Sequence, residues 1–160
     1  MKLKYFYKIE DDKLIRGSGY KIPDGFIEYE KGSEPQEFLD LYHQELLENA
    51  KQLKKRGIEQ TFNNTLSQGY TCSNGIKMNS TDSDIRKLKD GYDLANALGS
   101  ETMIVRDYNN ENHELTLNEV FDMLKELGAN YQTQLQKLWK LKDDIVNSNS
   151  IEDVENIRWN

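Results

Sequence analysis

Apolar residues recur at helical spacing over a long stretch of the C-terminal half, from Leu117 to about Asn147. Thr116 precedes this stretch and Glu119 lies three residues later, which is the spacing of a capping box at the start of a helix. The pattern predicts a helix of roughly 30 residues and about 45 Å, too long to be covered by one small core. Its apolar face contains Val120, Leu124, Leu127, Tyr131, Leu135, Leu138 and Ile145, widened by Phe121 and Trp139.

A second long helix is predicted from Pro35 to about Ser67, where apolar residues again recur three or four positions apart. Three leucines in it are spaced seven residues apart, which favours a coiled-coil contact and predicts an oligomer or partner interface. They are Leu39, Leu46 and Leu53. Because glycine costs a helix about 1 kcal/mol relative to alanine, we expect a kink or hinge at Gly57.

Two shorter helices are predicted from their caps and apolar spacing. Ser80 or Thr81 can cap the first of them. Its predicted buried stripe consists of Ile85, Leu88, Tyr92, Ala95 and Leu98. Ser150 can cap the second. We expect Trp159 to pack on the core, because a large apolar side chain beside a chain end usually holds that end down.

Alternating apolar and polar residues predict strands in residues 1–30. The shared face of the first strand contains Leu3, Tyr5, Tyr7 and Ile9. A polar turn at Glu10 to Lys13 leads into a return strand, and a short aromatic strand follows from Phe26 to Tyr29. Aromatic residues here fit core packing and also fit a recognition surface, so Tyr5 and Tyr7 are further candidates for a partner interface.

Two more hairpins are predicted between the helices. Asn74-Gly75 separates two short strand-like runs, and both residue types tolerate the positive φ of a type I′ turn. The other hairpin pairs Met103 to Val105, predicted as a buried strand, with His113 to Leu115 across a polar turn. Long amphipathic helices packed with small antiparallel hairpins indicate an α+β fold.

Composition predicts a folded, acidic chain of one domain with an appended arm. Its 160 residues are 36% hydrophobic and 31% charged, and the net charge is -7. This balance argues against a nucleic-acid-binding face, since phosphate contacts need clustered Lys and Arg. The one basic cluster, Lys51 to Arg56, is flanked by Glu45, Glu48 and Glu59, so we interpret it as a solvated ion-pair face. With neither a signal peptide nor a membrane-spanning run in the sequence, we expect the chain in the cytoplasm when made.

The sequence predicts no catalytic, cofactor or metal site. His43 and His113 lack partners at the spacing of metal ligands, and no glycine-rich phosphate loop leads into a helix. Cys72 is the only cysteine, which excludes an intrachain disulfide and is consistent with a reducing compartment. Cys72 with His113 would make a cysteine nucleophile and its base, but we favour a small buried thiol.

A series of short motifs runs in order along residues 55–159. They are Gly69-Tyr70-Thr71, Asn74-Gly75, Ser80 to Asp84, Leu94-Ala95, Val105 to Asn110, His113 to Leu117, Leu138 to Lys142 and Ile151 to Ile157. Their order and spacing resemble a domain of unknown function common in bacteriophage and prophage tail-fibre-associated proteins. The resemblance implies a tail-fibre, fibre-assembly or baseplate context, and it implies no catalytic residues.

We therefore expect a β-rich arm or subdomain in residues 1–33 and the helical and hairpin domain in residues 34–160. The expected function is that of a non-enzymatic phage or prophage tail-associated protein, either a tail-fibre component or a fibre assembly factor. Its expected partners are tail-fibre or baseplate proteins and further copies of itself, without nucleic acid, membrane or cofactor. It would act in the host bacterial cytoplasm during assembly, or in the virion tail. The alternative is an acidic host-directed regulator or inhibitor that blocks a basic partner.

Overall fold

The computed structural model describes residues 2–160, and its fold is α+β, as the sequence predicts. Within these residues the helices are α1 (Gln36–Ser67), α2 (Asp82–Ala97), α3 (Leu117–Asn147) and α4 (Ile151–Asn156). The strands are β1 (Lys4–Glu10), β2 (Lys13–Gly19), β3 (Ile27–Tyr29), β4 (Tyr70–Thr71), β5 (Lys77–Met78), β6 (Thr102–Arg106) and β7 (Asn112–Thr116). They form three antiparallel sheets, with strand orders β2-β1-β3, β4-β5 and β6-β7.

The N-terminal sheet packs one of its faces on the first turns of α1. A two-residue turn joins β1 to β2, and its residues Asp11 and Asp12 have φ angles of 50° and 56°, as a type I′ turn requires. Tyr7 is 2% exposed and meets Phe38 of α1 edge to face, with ring centroids 5.4 Å apart. The Tyr7 hydroxyl also donates a 2.6 Å hydrogen bond to Glu37. The predicted hairpin and aromatic strand are confirmed.

Two clusters of buried residues lie along α3, which explains the length of this helix. The hairpin-side cluster joins the N-terminal half of α3 to the two small hairpins and consists of Cys72, Met78, Val105, Val120, Met123 and Leu127. The helix-side cluster joins the C-terminal half of α3 to α1 and consists of Ile58, Phe62, Leu66, Leu138 and Ile145. Trp159 packs on the second cluster, 6.2 Å from the Phe62 ring, as the sequence predicts.

The predicted helix starts are confirmed. Thr116 and Glu119 form the capping box of α3, while Thr81 caps α2 and Ser150 caps α4. Gly69 follows α1 with a φ of 74°. A side chain there would lie 2.7 Å from the Met78 carbonyl oxygen, so the tight passage from α1 into β4 requires glycine.

Two predictions of local detail are wrong. The turn between β4 and β5 is not type I′, because only Gly75 of the Asn74-Gly75 pair has a positive φ. The Gly75 N–H bonds to the Cys72 carbonyl, and the Asn74 side chain accepts from the Ile76 N–H, so a three-residue loop with a left-handed glycine replaces it. Leu98, the last residue of the predicted buried stripe, is 74% exposed at the C-cap of α2.

The basic cluster on α1 is not simply a solvated ion-pair face. The Lys51 ammonium donates to the Val146 carbonyl in the last turn of α3, at 2.9 Å. The Lys54 ammonium donates to the carbonyls of Glu155 and Ile157 at the end of α4, at 3.0 and 3.1 Å. Neither α3 nor α4 has a basic residue in its own last turn. The two lysines therefore supply from α1 the positive charge that the C-terminal end of a helix favours.

Candidate functional site

A groove of about 460 Å³ separates α2 from β6. The wall from α2 contains Asp84, Lys87, Leu88 and Gly91. The opposite wall contains Met103, Ile104, Val105 and Arg106 of β6, and Met78, Asn79, Asp107 and Asn110 close the end of the groove. Helix and strand are in close contact at Gly91, where an added Cβ would lie 3.3 Å from the Met103 methyl group. No helix within residues 2–160 is long and apolar enough to cross a membrane. We consider the groove between α2 and β6 as the candidate binding site.

One edge of β6 carries unpaired backbone groups. The Asp107 N–H donates to the Glu111 carbonyl and the Leu117 N–H to the Glu101 carbonyl, so the odd-numbered positions of β6 bond to β7. Antiparallel pairing alternates, and the N–H and C=O groups of Thr102, Ile104 and Arg106 therefore point away from β7. Within residues 2–160 no further strand pairs along Thr102 to Arg106, but at the next outward position the Tyr108 N–H donates to the Lys77 carbonyl of β5 at 2.8 Å. The edge has the geometry that accepts an added strand.

Exposed apolar side chains occur on both of the elements that line the groove. Ile104 of β6 is 69% exposed, and Leu94 and Leu98 at the end of α2 are 62% and 74% exposed. Lys87, Gly91, Leu94 and Leu98 follow one another three or four positions apart, so the two leucines continue the α2 wall beyond the groove. Sequence reasoning predicted a buried β6 and missed Ile104. A two-stranded sheet covers only one of its faces, so one of three consecutive apolar residues had to face outward.

Two acidic and two basic side chains line the groove. Asp84 accepts a hydrogen bond from the Thr81 hydroxyl, which belongs to the cap of α2. Lys87 makes no ion pair within residues 2–160, and Arg106 uses only its Nε, which donates to the Asn110 carbonyl at 3.3 Å. A ligand in the groove thus meets two carboxylates and two cations, whose formal charges cancel.

Asp107 is buried at the end of the groove and organises the loop between β6 and β7. Its Oδ1 accepts hydrogen bonds of 2.8 Å from the N–H groups of Asn109 and Glu111, and its Oδ2 lies 3.2 Å from Nε2 of His113. The bond from the Glu111 N–H is the main cause that lowers the pKa of Asp107, with His113 and Asn109 adding to it against the opposing effect of burial.

Asp107, Glu111 and His113 also bring three potential metal-ligating atoms within 4.8 Å of one another. The pairing of β6 with β7 creates this proximity, which a search for repeated histidine or cysteine spacing does not find. Both carboxylate oxygens of Asp107 already serve the loop and His113. We assign no metal to this cluster, and the expectation of no metal site stays a prediction.

Cys72 is 3% exposed, which confirms the prediction of a small buried thiol. Burial, aided by the negative charge of Glu126, raises the pKa of Cys72 to about 11. A thiol with this pKa stays protonated near neutral pH, and the thiolate is the nucleophilic form. The geometry therefore supports a packing role for Cys72.

The interface residues predicted from the sequence lie away from the groove. Leu39 and Leu46 are half-buried on α1, whereas Leu53 is 68% exposed. Tyr5 is half-buried and Tyr7 lies under α1, so Tyr7 offers almost no surface to a partner. No contact in the structure tests whether the leucines form an interface, and the interface on α1 stays a prediction.

Comparison with known proteins gives one result. Residues 49–158 match the model of a family described as Domain of unknown function (DUF4376). Searches of curated proteins and of solved structures returned no match. The match includes α2, α3 and the groove beside β6, while the N-terminal sheet lies outside it.

Proposed function

The chain belongs to the DUF4376 family of domains of unknown function, and we propose that it acts through protein–protein contacts rather than catalysis. The observation that carries this proposal is the open edge of β6, with Ile104, Leu94 and Leu98 exposed beside it. Unpaired strand edges and exposed large apolar side chains are typical of surfaces that bind another protein.

The partner system that we propose is the tail of a phage or prophage. Support for this comes from the sequence motifs of residues 55–159, which resemble a domain common in tail-fibre-associated proteins. In this proposal the chain is either a tail component or a factor that helps fibres assemble, and its partner is a tail-fibre or baseplate protein.

Quantitative mass spectrometry of purified virions and of the lysate that produced them tests this proposal. Enrichment of the chain in particles is the result expected of a tail component. Abundance in lysate together with co-purification of a fibre or baseplate protein is the result expected of an assembly factor. A chain absent from particles that co-purifies only with a basic host protein contradicts the tail proposal and favours a host-directed regulator.

We also propose that copies of the chain associate through α1. Leu53 supports this, because it is an exposed leucine at the end of the seven-residue series with Leu39 and Leu46. Light scattering at high micromolar concentration is expected to give a multiple of 18.7 kDa, and Leu53→Glu to reduce it to the single-chain mass. A single-chain mass for the unmodified protein would rule the association out.

A further inference from the structure

We propose that α1 docks against the α1 helix of a second copy of this chain, and that the two helices pack antiparallel about Ala50. This inference rests on the proposed association of copies through α1, because it gives that association an orientation and a register. Three features of α1 support it: an uncharged face, small residues within that face, and opposite charge in the two halves of the helix.

One face of α1, which we call the α1 face, lacks charged side chains. Residues that are alternately three and four positions apart lie along one side of a helix. Six such residues form the α1 face, and none of them is Asp, Glu, Lys or Arg, although 31% of the chain is charged. They are Leu39, His43, Leu46, Ala50, Leu53 and Gly57. An uncharged helix face in so polar a chain indicates a surface that another surface covers.

The α1 face is bordered by α4 on one side and by the N-terminal sheet on the other. Lys54 donates to carbonyls of α4 at 3.0 and 3.1 Å, while the Arg16 guanidinium of the sheet lies 4.0 Å from the centre of the Tyr42 ring. Between these borders Leu53 is 68% exposed, and a Cβ added at Gly57 would meet no atom within 4 Å. The C-terminal part of the α1 face is therefore open to a second helix.

Small residues on the α1 face fit a close antiparallel pair. Leucines and small residues alternate along it, in the order Leu46, Ala50, Leu53 and Gly57. When the two-fold axis of an antiparallel pair passes beside Ala50, Leu46 lies almost level with the partner's Leu53, and Gly57 lies level with the partner's His43. The larger imidazole then meets a position without a side chain, and the two alanines at the axis let the helices approach closely.

The charge of α1 changes sign at Ala50, which determines the orientation of the pair. Residues 36–49 contain four acidic residues and no Lys or Arg, whereas residues 51–58 contain four basic residues and no Asp or Glu. The acidic residues are Glu37, Asp40, Glu45 and Glu48, and the basic residues are Lys51, Lys54, Lys55 and Arg56. An antiparallel pair about Ala50 places each acidic half beside the partner's basic half, while a parallel pair in register places like charges together.

Neighbouring elements offset part of this charge and leave its asymmetry in place. Arg16 of the N-terminal sheet lies 3.8 Å from Glu45, and the bonds of Lys54 to α4 bring Glu155 close to it. Each neighbour offsets one charge of the four, so the acidic half stays negative and the basic half stays positive. Arg56 is exposed beside the α1 face and makes no ion pair within residues 2–160. It is the cation that we expect to meet the partner's acidic half, almost level with the partner's Glu45.

Disulfide cross-linking of the full-length chain tests the orientation. Leu46→Cys and Leu53→Cys are prepared separately, one of them labelled with ¹⁵N, then mixed and oxidised with copper phenanthroline, and mass spectrometry separates mixed from self-paired dimers. In the antiparallel pair Leu46 and the partner's Leu53 are offset by about 1.5 Å along the helix axis, whereas two copies of Leu46 are offset by about 12 Å. We therefore expect the mixed disulfide in at least about tenfold excess, because a disulfide cannot bridge the longer distance. The unmodified chain is the control, since Cys72 is 3% exposed.

A charge variant tests the cause of the orientation. Arg56→Glu should weaken the dimer by roughly three- to tenfold in analytical ultracentrifugation, because it places a negative charge beside the partner's acidic half. In a parallel pair the same substitution exchanges one like-charge contact for another, and the affinity would stay nearly unchanged. Lys140→Glu makes the same charge change on α3, outside the α1 face, and should leave the affinity unchanged.

A mass of twice 18.7 kDa together with the mixed disulfide supports the antiparallel pair. Preferential self-pairing of Leu46→Cys, or an Arg56→Glu variant that dimerises as well as the unmodified chain, would overturn the inference while the association through α1 stands. An assembly of three or more copies would also overturn it, because a two-fold pair closes on itself. A single-chain mass for the unmodified protein removes both the association and its orientation. The tail proposal is judged separately, by the partner found in particles or lysate.

Discussion

Asp107 shows how one residue can hold a whole loop. Its two carboxylate oxygens receive two backbone N–H groups and contact His113, and together these contacts close the turn between β6 and β7. The same loop forms the end of the candidate groove, so a change at Asp107 affects both the stability of the hairpin and the shape of the binding surface.

We expect Asp107→Ala to lower the urea midpoint of unfolding at pH 7, and Asp107→Asn to lower it less, because Asn keeps a carbonyl acceptor. The folded-state pKa of Asp107 lies below its unfolded value, so the ionised carboxylate stabilises the fold above about pH 4 and loses this contribution as the pH falls further. The difference between the wild type and Asp107→Asn should therefore shrink from pH 7 to pH 3. Glu111→Gln, which keeps its backbone N–H bond, is the control, and a difference independent of pH would refute the assignment.

Lys54 is a second residue whose role depends on contacts far away in the sequence. We expect Lys54→Met to destabilise the chain by about 1 kcal/mol, because the carbonyls of Glu155 and Ile157 lose a charged donor while the aliphatic stem is retained. Lys55→Met is the matched control. Chemical denaturation measures both variants, and protection of α4 amides in hydrogen exchange should fall only for Lys54→Met. Equal effects of the two substitutions would mean that the contact to α4 is not the cause.

At the scale of elements, the sequence predicts structure well where the signal is local. The bounds of α3 follow from Thr116, Glu119 and the apolar period, because a cap and a stripe are properties of neighbouring residues. The sequence predicts a hairpin at Asn74-Gly75 correctly but gives the wrong turn type. Two turn types suit these residues, and only the pairing register of β4 with β5 decides between them.

The candidate groove could not be predicted, because it is formed by elements that the sequence does not relate to each other. The pairing of the strands decides whether β6 has an open edge. The side of the sheet that is covered decides which residues of a short apolar strand are buried. The same reason applies to Lys51 and Lys54. Their neighbours Glu48 and Glu59 indicated local ion pairs, whereas their acceptors lie 95 to 103 residues away.

Gly57 provides a prediction at the scale of a helix. The helix α1 continues through Gly57, and an added Cβ would meet no atom within 4 Å. We expect Gly57→Ala to raise the free energy of unfolding by about 0.5–1 kcal/mol, because alanine favours the helix and nothing obstructs it. Chemical denaturation measures this gain. Stabilisation by Gly57→Ala together with weaker partner binding would support the hinge expected from the sequence. Unchanged stability would contradict the conclusion that Gly57 costs the helix stability.

At the scale of the whole molecule, the N-terminal sheet depends on α1 more than α1 depends on the sheet. Its contacts with α1 include the Tyr7 and Phe38 rings and the Arg16 guanidinium, which lies 4.0 Å from the centre of the Tyr42 ring. Neither the hairpin-side nor the helix-side cluster contains a residue of this sheet. The family match also begins at residue 49, within α1.

We therefore expect a fragment of residues 34–160 to unfold cooperatively and to keep both clusters, with loss of order only in the first turns of α1. Phe38 is 4% exposed in the full chain and loses its cover in the fragment, so those turns should lose their protection in hydrogen exchange. A peptide of residues 1–33 should be unstructured, because a small sheet needs a partner surface to be stable. Circular dichroism and exchange of both fragments measure this. Failure of residues 34–160 to unfold cooperatively would show instead that sheet and helices form one folding unit, and that the division at residue 33 is wrong.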